Sequence, residues 1–300
     1  MRVNKTVLLV ACGWMALATA SVGLMAKPPA ALRLTYSTRA LVAGEAMLLT
    51  VSSPEPLAGV EGTAFDQPVR FAARGGDARH WQGLAAIPLG TTTGRHVMTA
   101  RATVVGGATL ETHRRLTVSG KTFRVSRITV AREFVEPPES ERERIAEEAR
   151  LMADRLSHVT PEMLWQGRFT IPVDGPVSSE FGVRRIVNGE ERNRHLGVDL
   201  AATTGTPVVA PNRGRVSLVG SLYYSGNTVL VDHGLGVFSL FAHLSQALVA
   251  EGDLVERGRE IGRVGATGRV TAPHLHWTVK VGQTNVDPMS LVALVTSPGP

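Results

Sequence analysis

The chain has 300 residues, enough for about two domains, and 43% of them are apolar, so a sizeable core is available. Its formal charge of +6 is carried almost entirely by arginine, since lysine occurs only at Lys5, Lys27, Lys121 and Lys280. No arginine run, zinc-finger spacing or aromatic RNA-binding signature accompanies that charge, which argues against a nucleic-acid partner.

The chain opens with MRVNK, two positive charges, followed by residues 6–26, which carry no charge. This is the layout of a secretory signal, with Ala18-Thr19-Ala20 as an A-x-A cleavage site before Ser21. Residues 6–26 are also long enough to remain as a membrane anchor. Either way the bulk of the chain is expected outside the cytoplasm, in the periplasm or cell envelope, free or held at the inner membrane. The single cysteine, Cys12, lies inside this segment. A cleaved chain would have no cysteine, and any metal site would have to use His, Asp or Glu.

Residues 30–130 alternate apolar and polar in LRLTYS, AMLLTVSS, PVRFAA, HVMTARATVV and LETHRRLTVS, with Gly and Pro between. They predict a small antiparallel β-sandwich, immunoglobulin-like in size. His80, His96 and His113 are isolated there and read as surface or packing residues. Residues 137–160 then predict an amphipathic connecting helix, with Ile145, Ala149, Met152 and Leu156 as its apolar stripe and Glu–Arg pairs on its wet face. From 166 to 294 the pattern returns to short strands: FTIPVDG, PVSSEFG, TPVVAP, GRVSLVG, NTVLVDHG, FSLFAHL, REIGRVG and HLHWTVK. The fold class is therefore mainly β, with an all-β C-terminal domain.

That last domain carries the chemistry. HLGVD places His195 and Asp199 four residues apart, and HLH places His274 and His276 two apart. On a strand both spacings put the pair on one face. His233 in VDHG and His243 in FAHL are the other two histidines of the domain. A catalytic zinc takes three protein ligands and keeps one open position, which His, His and Asp from separate strands can supply. A single such histidine would read as structural; two face-sharing motifs in one exported β domain do not.

Residues 169–290 resemble the catalytic domain of the M23 zinc metallopeptidases, the lysostaphin and LytM-type peptidoglycan endopeptidases. The resemblance runs through SSEFGVRRIVNGEERNRHLGVDLAATTGTPVVAPNRGRV, GNTVLVDHGLGVFSLFAHL and GRVTAPHLHW, in order. It implies one Zn2+ per chain, held by His195, Asp199 and His276, with His243 and His274 as catalytic residues and His233 structural. It implies a zinc-activated water attacking the scissile carbonyl with the two histidines assisting, and peptidoglycan stem or cross-link peptides as the substrate. Two departures stand out: Phe241 where many members have Tyr, and Ala272 where Gly is usual. The alternative is a non-enzymatic peptidoglycan-binding activator of other wall hydrolases, which would be expected to have lost ligands. A biotinyl- or lipoyl-carrier module is excluded because its hairpin tip needs a lysine and none occurs between 122 and 279. The bond cut, the oligomeric state, and whether the sandwich targets or restrains the enzyme are not set by the sequence.

Overall fold

The computed structural model describes residues 31–129 and 136–294. The predicted leader, residues 1–26, lies outside them. Among the described residues no helix is long and apolar enough to cross a membrane.

Nine strands come first: β1 (Arg33–Ser37), β2 (Ala46–Ser52), β3 (Leu57–Ala64), β4 (Gln67–Arg70), β5 (Ala72–Arg74), β6 (Asp77–Ala86), β7 (Gly94–Val104), β8 (Thr109–Val118) and β9 (Val125–Ile128). Eight of them form two antiparallel sheets, in the orders β1-β2-β6-β5 and β4-β3-β7-β8. These face each other across a core of Met47, Leu49, Val51, Ile87, Met98 and Leu116 among others. β7 keeps strict alternation: Met98, Ala100, Ala102 and Val104 point inward, while Thr99, Arg101 and Thr103 face solvent. The expected sandwich is present, with two strands the sequence pattern did not reveal. β3 and β6 carry Gly62 and Gly83, where a Cβ would run into the backbone of β7 and of Arg70 respectively. Glycine here permits close packing, and in a sequence it reads as a turn.

β2 is not a half-exposed strand: Ala46, Met47, Leu48 and Leu49 are all buried. Its second face, with Leu84 and Ala86 of β6, enters the other core of the molecule beside Trp165, Phe169 and Phe181. The sandwich is thus fused to the rest of the chain through one of its own sheets.

A 3-10 turn (Glu139–Glu141) leads into helix α1 (Arg142–Ser157). Met152 and Leu156 pack on Leu218, Leu230 and Phe238. The expected stripe is narrower than the sequence suggested, because Ala149 is exposed and Glu148 is the partly covered residue at that level.

The remaining strands are β10 (Val177–Ser179), β11 (Arg184–Val187), β12 (Glu190–Glu191), β13 (Val198–Leu200), β14 (Pro207–Val209), β15 (Gly214–Leu222), β16 (Gly226–Gly234), β17 (Val237–Ala247), β18 (Leu254–Val255), β19 (Glu260–Val264), β20 (Leu275–Val281) and β21 (Thr284–Val286), before helix α2 (Pro288–Val292). The main path of the large sheet is β10-β13-β20-β17-β16-β15-β18. FTIPVDG, expected as a strand, is irregular. Phe169 and Val173 are buried anchors, and its backbone is tied by single bonds such as Thr170 N to the Pro211 carbonyl, 3.0 Å. β9 leaves the sandwich and pairs in parallel with β11, whose hairpin with β12 flanks the site described next.

Candidate metal centre

Three adjacent strands bring the histidines together. In register, Asp199 of β13 lies opposite His276 of β20, which lies opposite Ala242 of β17. His274 sits just before β20 in an isolated bridge with Gly265. Leu275 between them is fully buried, so the two imidazoles share the other face. His195 departs from the strand expectation: it lies in the irregular segment before β13. Gly197 explains this, since a Cβ there would lie 2.5 Å from the Trp277 carbonyl and 2.9 Å from the His276 ring. The chain must press flat against β20 to bring His195 round. Its backbone is fixed by Gly182 N to the His195 carbonyl, 2.7 Å, and His195 N to the Val183 carbonyl, 3.0 Å.

His243 reaches the cluster through a backbone irregularity. The β16–β17 register shifts between Asn227 and Val229, and opposite this His243 takes φ +64°, a left-handed conformation that costs a non-glycine residue energy. Its ring lies 4.9 Å from that of His274 and 6.0 Å from that of His276, centroid to centroid.

The hydrogen bonds assign the tautomers. His195 Nδ1 is 2.9 Å from the Glu180 carbonyl oxygen. A carbonyl only accepts, so Nδ1 carries a proton and Nε2 is the nitrogen turned toward the cluster. His195 Nε2 lies 3.1 Å from Asp199 Oδ1 and 3.1 Å from His276 Nδ1. His276 Nδ1 is itself 2.7 Å from Asp199 Oδ1, while its Nε2 meets Thr278 Oγ1 at 2.9 Å. His243 Nδ1 donates to the Thr267 carbonyl at 2.9 Å, and His274 Nδ1 to the Ala272 carbonyl at 2.9 Å. In both rings Nε2 is the nitrogen left free of that carbonyl contact; that of His274 is 3.7 Å from Asp199 Oδ1.

His195, Asp199 and His276 form the group able to hold a metal ion among the described residues. Two imidazole nitrogens and a carboxylate oxygen converging within 3.1 Å of one another form a donor set that a cation between them would satisfy. Tetrahedral coordination at about 2.0–2.1 Å puts ligand atoms roughly 3.3 Å apart, close to the separations seen. The residues fit a metal.

Electrostatics agree. Burial pushes the Asp199 carboxyl up, but the hydrogen bonds from His195 and His276 outweigh it and hold the group well below the usual carboxylate range. Burial pushes His276 down against its bond to Asp199, and pushes His243 down to about 4. His243 is thus neutral at pH 7.

His233 is elsewhere, fully buried on β16. Its Nδ1 meets the Arg213 carbonyl at 2.9 Å and its Nε2 meets Ser239 Oγ at 3.0 Å. Phe241 is wholly buried in the core, so a hydroxyl at that ring would not face substrate in this arrangement. Ala272 acts through its carbonyl alone, which glycine would offer equally. Sequence reasoning missed Thr278, legible in principle because it follows His276 by the strand period of two. It also missed Arg185, whose guanidinium stands 4.0 Å from Asp199 Oδ2; nothing local marks it.

A β-sheet that gathers two histidines and an aspartate around one point, with two further imidazoles beside them, has the donor set of a metal centre suited to hydrolytic chemistry. Comparison with known proteins specifies which. The sequence profile of peptidase family M23 matches residues 193–288. A solved structure described as a putative peptidase M23 from Pseudomonas aeruginosa is 30% identical, with a TM-score of 0.63 over 84% of this chain and 95% of that one. The chain belongs to peptidase family M23. Among curated proteins, the DD-carboxypeptidase/endopeptidase Mpg of Neisseria meningitidis is 43% identical over 120 residues, 40% of this chain. The peptidoglycan DD-endopeptidase ShyA of Vibrio cholerae is 40% identical over 121 residues, 39% of this chain. The matched part is 27% of the first relative's length and 28% of the second's.

Proposed function

We propose that the chain is an exported zinc endopeptidase that hydrolyses the peptide cross-links of peptidoglycan. The observation that carries this is the cluster of His195 Nε2, Asp199 Oδ1 and His276 Nδ1, with the imidazoles of His243 and His274 beside it. Nitrogen and oxygen donors without thiolate suit zinc in a catalytic setting. The names of the Neisseria and Vibrio relatives support peptidoglycan as the substrate.

When bound, zinc supplies Lewis acidity and lowers the pKa of a water from 15.7 to about 7. Asp199 halves the charge of that ion, which leaves work for the two further imidazoles. His243 and His274 share two tasks: accepting the proton of the attacking water and hydrogen bonding to the oxyanion of the scissile carbonyl. The carbonyls of Thr267 and Ala272 keep both rings in the tautomer that can accept at Nε2. Glu180 does the same for His195 through its carbonyl, and Thr278 orients His276.

Export rests on MRVNK and the uncharged residues 6–26, and places the enzyme in the periplasm or cell envelope. We divide the chain into that leader, a sandwich over 30–130, a helix over 137–160 and a peptidase unit over 166–294. The sequence keeps all five residues of the proposed site, which speaks against the non-enzymatic activator.

Metal analysis beside kinetics tests the roles. His195→Ala should lose zinc and activity together, and full zinc occupancy in that variant overturns the ligand assignment. His243→Ala should keep one zinc per chain and lose turnover by about a hundredfold or more. Cleavage at the wild-type rate overturns its role.

A further inference from the structure

We propose that Glu148, on helix α1, is a positioning residue for His243, and that α1 belongs to the catalytic unit. The proposal rests on the role given to His243 above. The side chain of Glu148 is 17% exposed. Its Oε1 accepts from Arg144 Nε at 2.8 Å, and its Oε2 accepts from the backbone N–H of Tyr223 at 2.8 Å. Arg144 in turn donates to the Ser221 carbonyl at 3.3 Å. The helix therefore grips the turn Tyr223-Tyr224-Ser225, between β15 and β16, through Glu148, and the end of β15 through Arg144. Ala149, the apolar residue expected at this level, is exposed, so Glu148 makes the attachment that apolar packing does not.

That turn holds His243 in two ways. The Ser225 carbonyl accepts directly from the His243 N–H at 2.8 Å. This bond satisfies the donor of a residue whose φ of +64° takes it out of the regular ladder. The Tyr224 carbonyl accepts from Arg269 N at 3.0 Å, and the Arg269 guanidinium lies 5.9 Å from the Tyr224 ring centroid. The turn thereby also fixes the loop whose Thr267 carbonyl receives the proton of His243 Nδ1. The backbone bond and the ring bond of His243 both trace back to the turn that Glu148 anchors. A carboxylate on a solvent-facing helix is thus linked, through main-chain hydrogen bonds, to the orientation of an imidazole in the site.

The test uses the full zinc-loaded chain and soluble cross-linked peptide dimers prepared from peptidoglycan. Glu148→Ala should lower kcat by about tenfold or more, because small displacements of a reacting group are costly. KM, zinc content and thermal midpoint should stay near wild type. Glu148→Gln should restore kcat, since its amide oxygen still accepts from Tyr223. A readout independent of turnover is hydrogen exchange in metal-free protein: the His243 amide should exchange faster in Glu148→Ala and not in Glu148→Gln. Wild-type kcat and exchange in Glu148→Ala, with His243→Ala inactive, overturns the proposal alone. Equal impairment of Glu148→Gln and Glu148→Ala also overturns it, because charge and not the hydrogen bond would then matter. A fully active His243→Ala removes the reading of His243, and the proposal falls with it.

Discussion

Gly197 shows how little freedom single positions near the candidate metal centre have. A side chain there meets the Trp277 carbonyl at 2.5 Å and Thr278 Oγ1 at 2.7 Å, both next to His276. Gly197→Ala should push β13 off β20, cost about 1–3 kcal/mol as other overpacked sites do, and weaken zinc binding; chelator competition and urea unfolding measure the two effects. Unchanged zinc affinity would mean that the strand contact does not set the ligand geometry. His233 gives a pH dependence of opposite origin. Burial pushes it down to about 4 from 6.5. Above pH 6.5 it is neutral whether folded or unfolded. Between 6.5 and 4 the unfolded chain binds a proton the native chain refuses, so stability falls as pH falls, by roughly 3 kcal/mol in all. His233→Gln should flatten urea midpoints over that interval relative to wild type, and parallel slopes would contradict the assignment. At this scale HxH was legible because strands alternate faces, and Thr278 obeys the same period. The left-handed turn of His243 was not, because it rests on a register shift against β16 that no residue type announces, and neither was the approach of Arg185, whose strand is set by β9, far away in sequence.

At the scale of elements, glycine and loop geometry decided what could be read. β7 and β20 alternate cleanly and announce themselves. β3 and β6 hide behind glycines that permit close backbone packing. FTIPVDG looks like a strand yet has its backbone bonds taken singly by neighbouring segments. The segment leading into β9 illustrates a role no local pattern suggests. Phe123 packs directly over Gly182, and the Arg194 guanidinium lies 5.0 Å from its ring. Gly182 N donates to the His195 carbonyl. Phe123→Ala should therefore loosen the loop that delivers His195 and lower zinc affinity several-fold, measured by competition with a chelator; wild-type affinity would show that the loop holds its shape without the linker.

For the whole molecule, the sandwich and the peptidase sheet share a core, which the sequence betrayed only as the unbroken apolar run of β2. A polar lock reinforces the junction. Arg39 donates to the buried Glu45 from Nε at 3.0 Å and from Nη2 at 2.6 Å, and to Asp287 at 2.6 Å, at the start of α2. Ser290 Oγ accepts from Ala46 N at 2.8 Å. Arg39→Ala leaves the Glu45 carboxylate, among the described residues, with Lys121 at 3.5 Å, and should cost roughly 1–3 kcal/mol. A Glu45→Gln change on top of it should recover part of that loss, and no recovery would show that the buried charge is not the source.

The central claim is that this chain cuts peptidoglycan peptides with zinc. Mass spectrometry of fragments released from purified peptidoglycan, with and without a zinc chelator, addresses it directly. The account predicts uncross-linked peptides whose masses name the bond, released with zinc and not after chelation. Protein carrying one zinc that releases nothing, or release unaffected by the chelator, would contradict it.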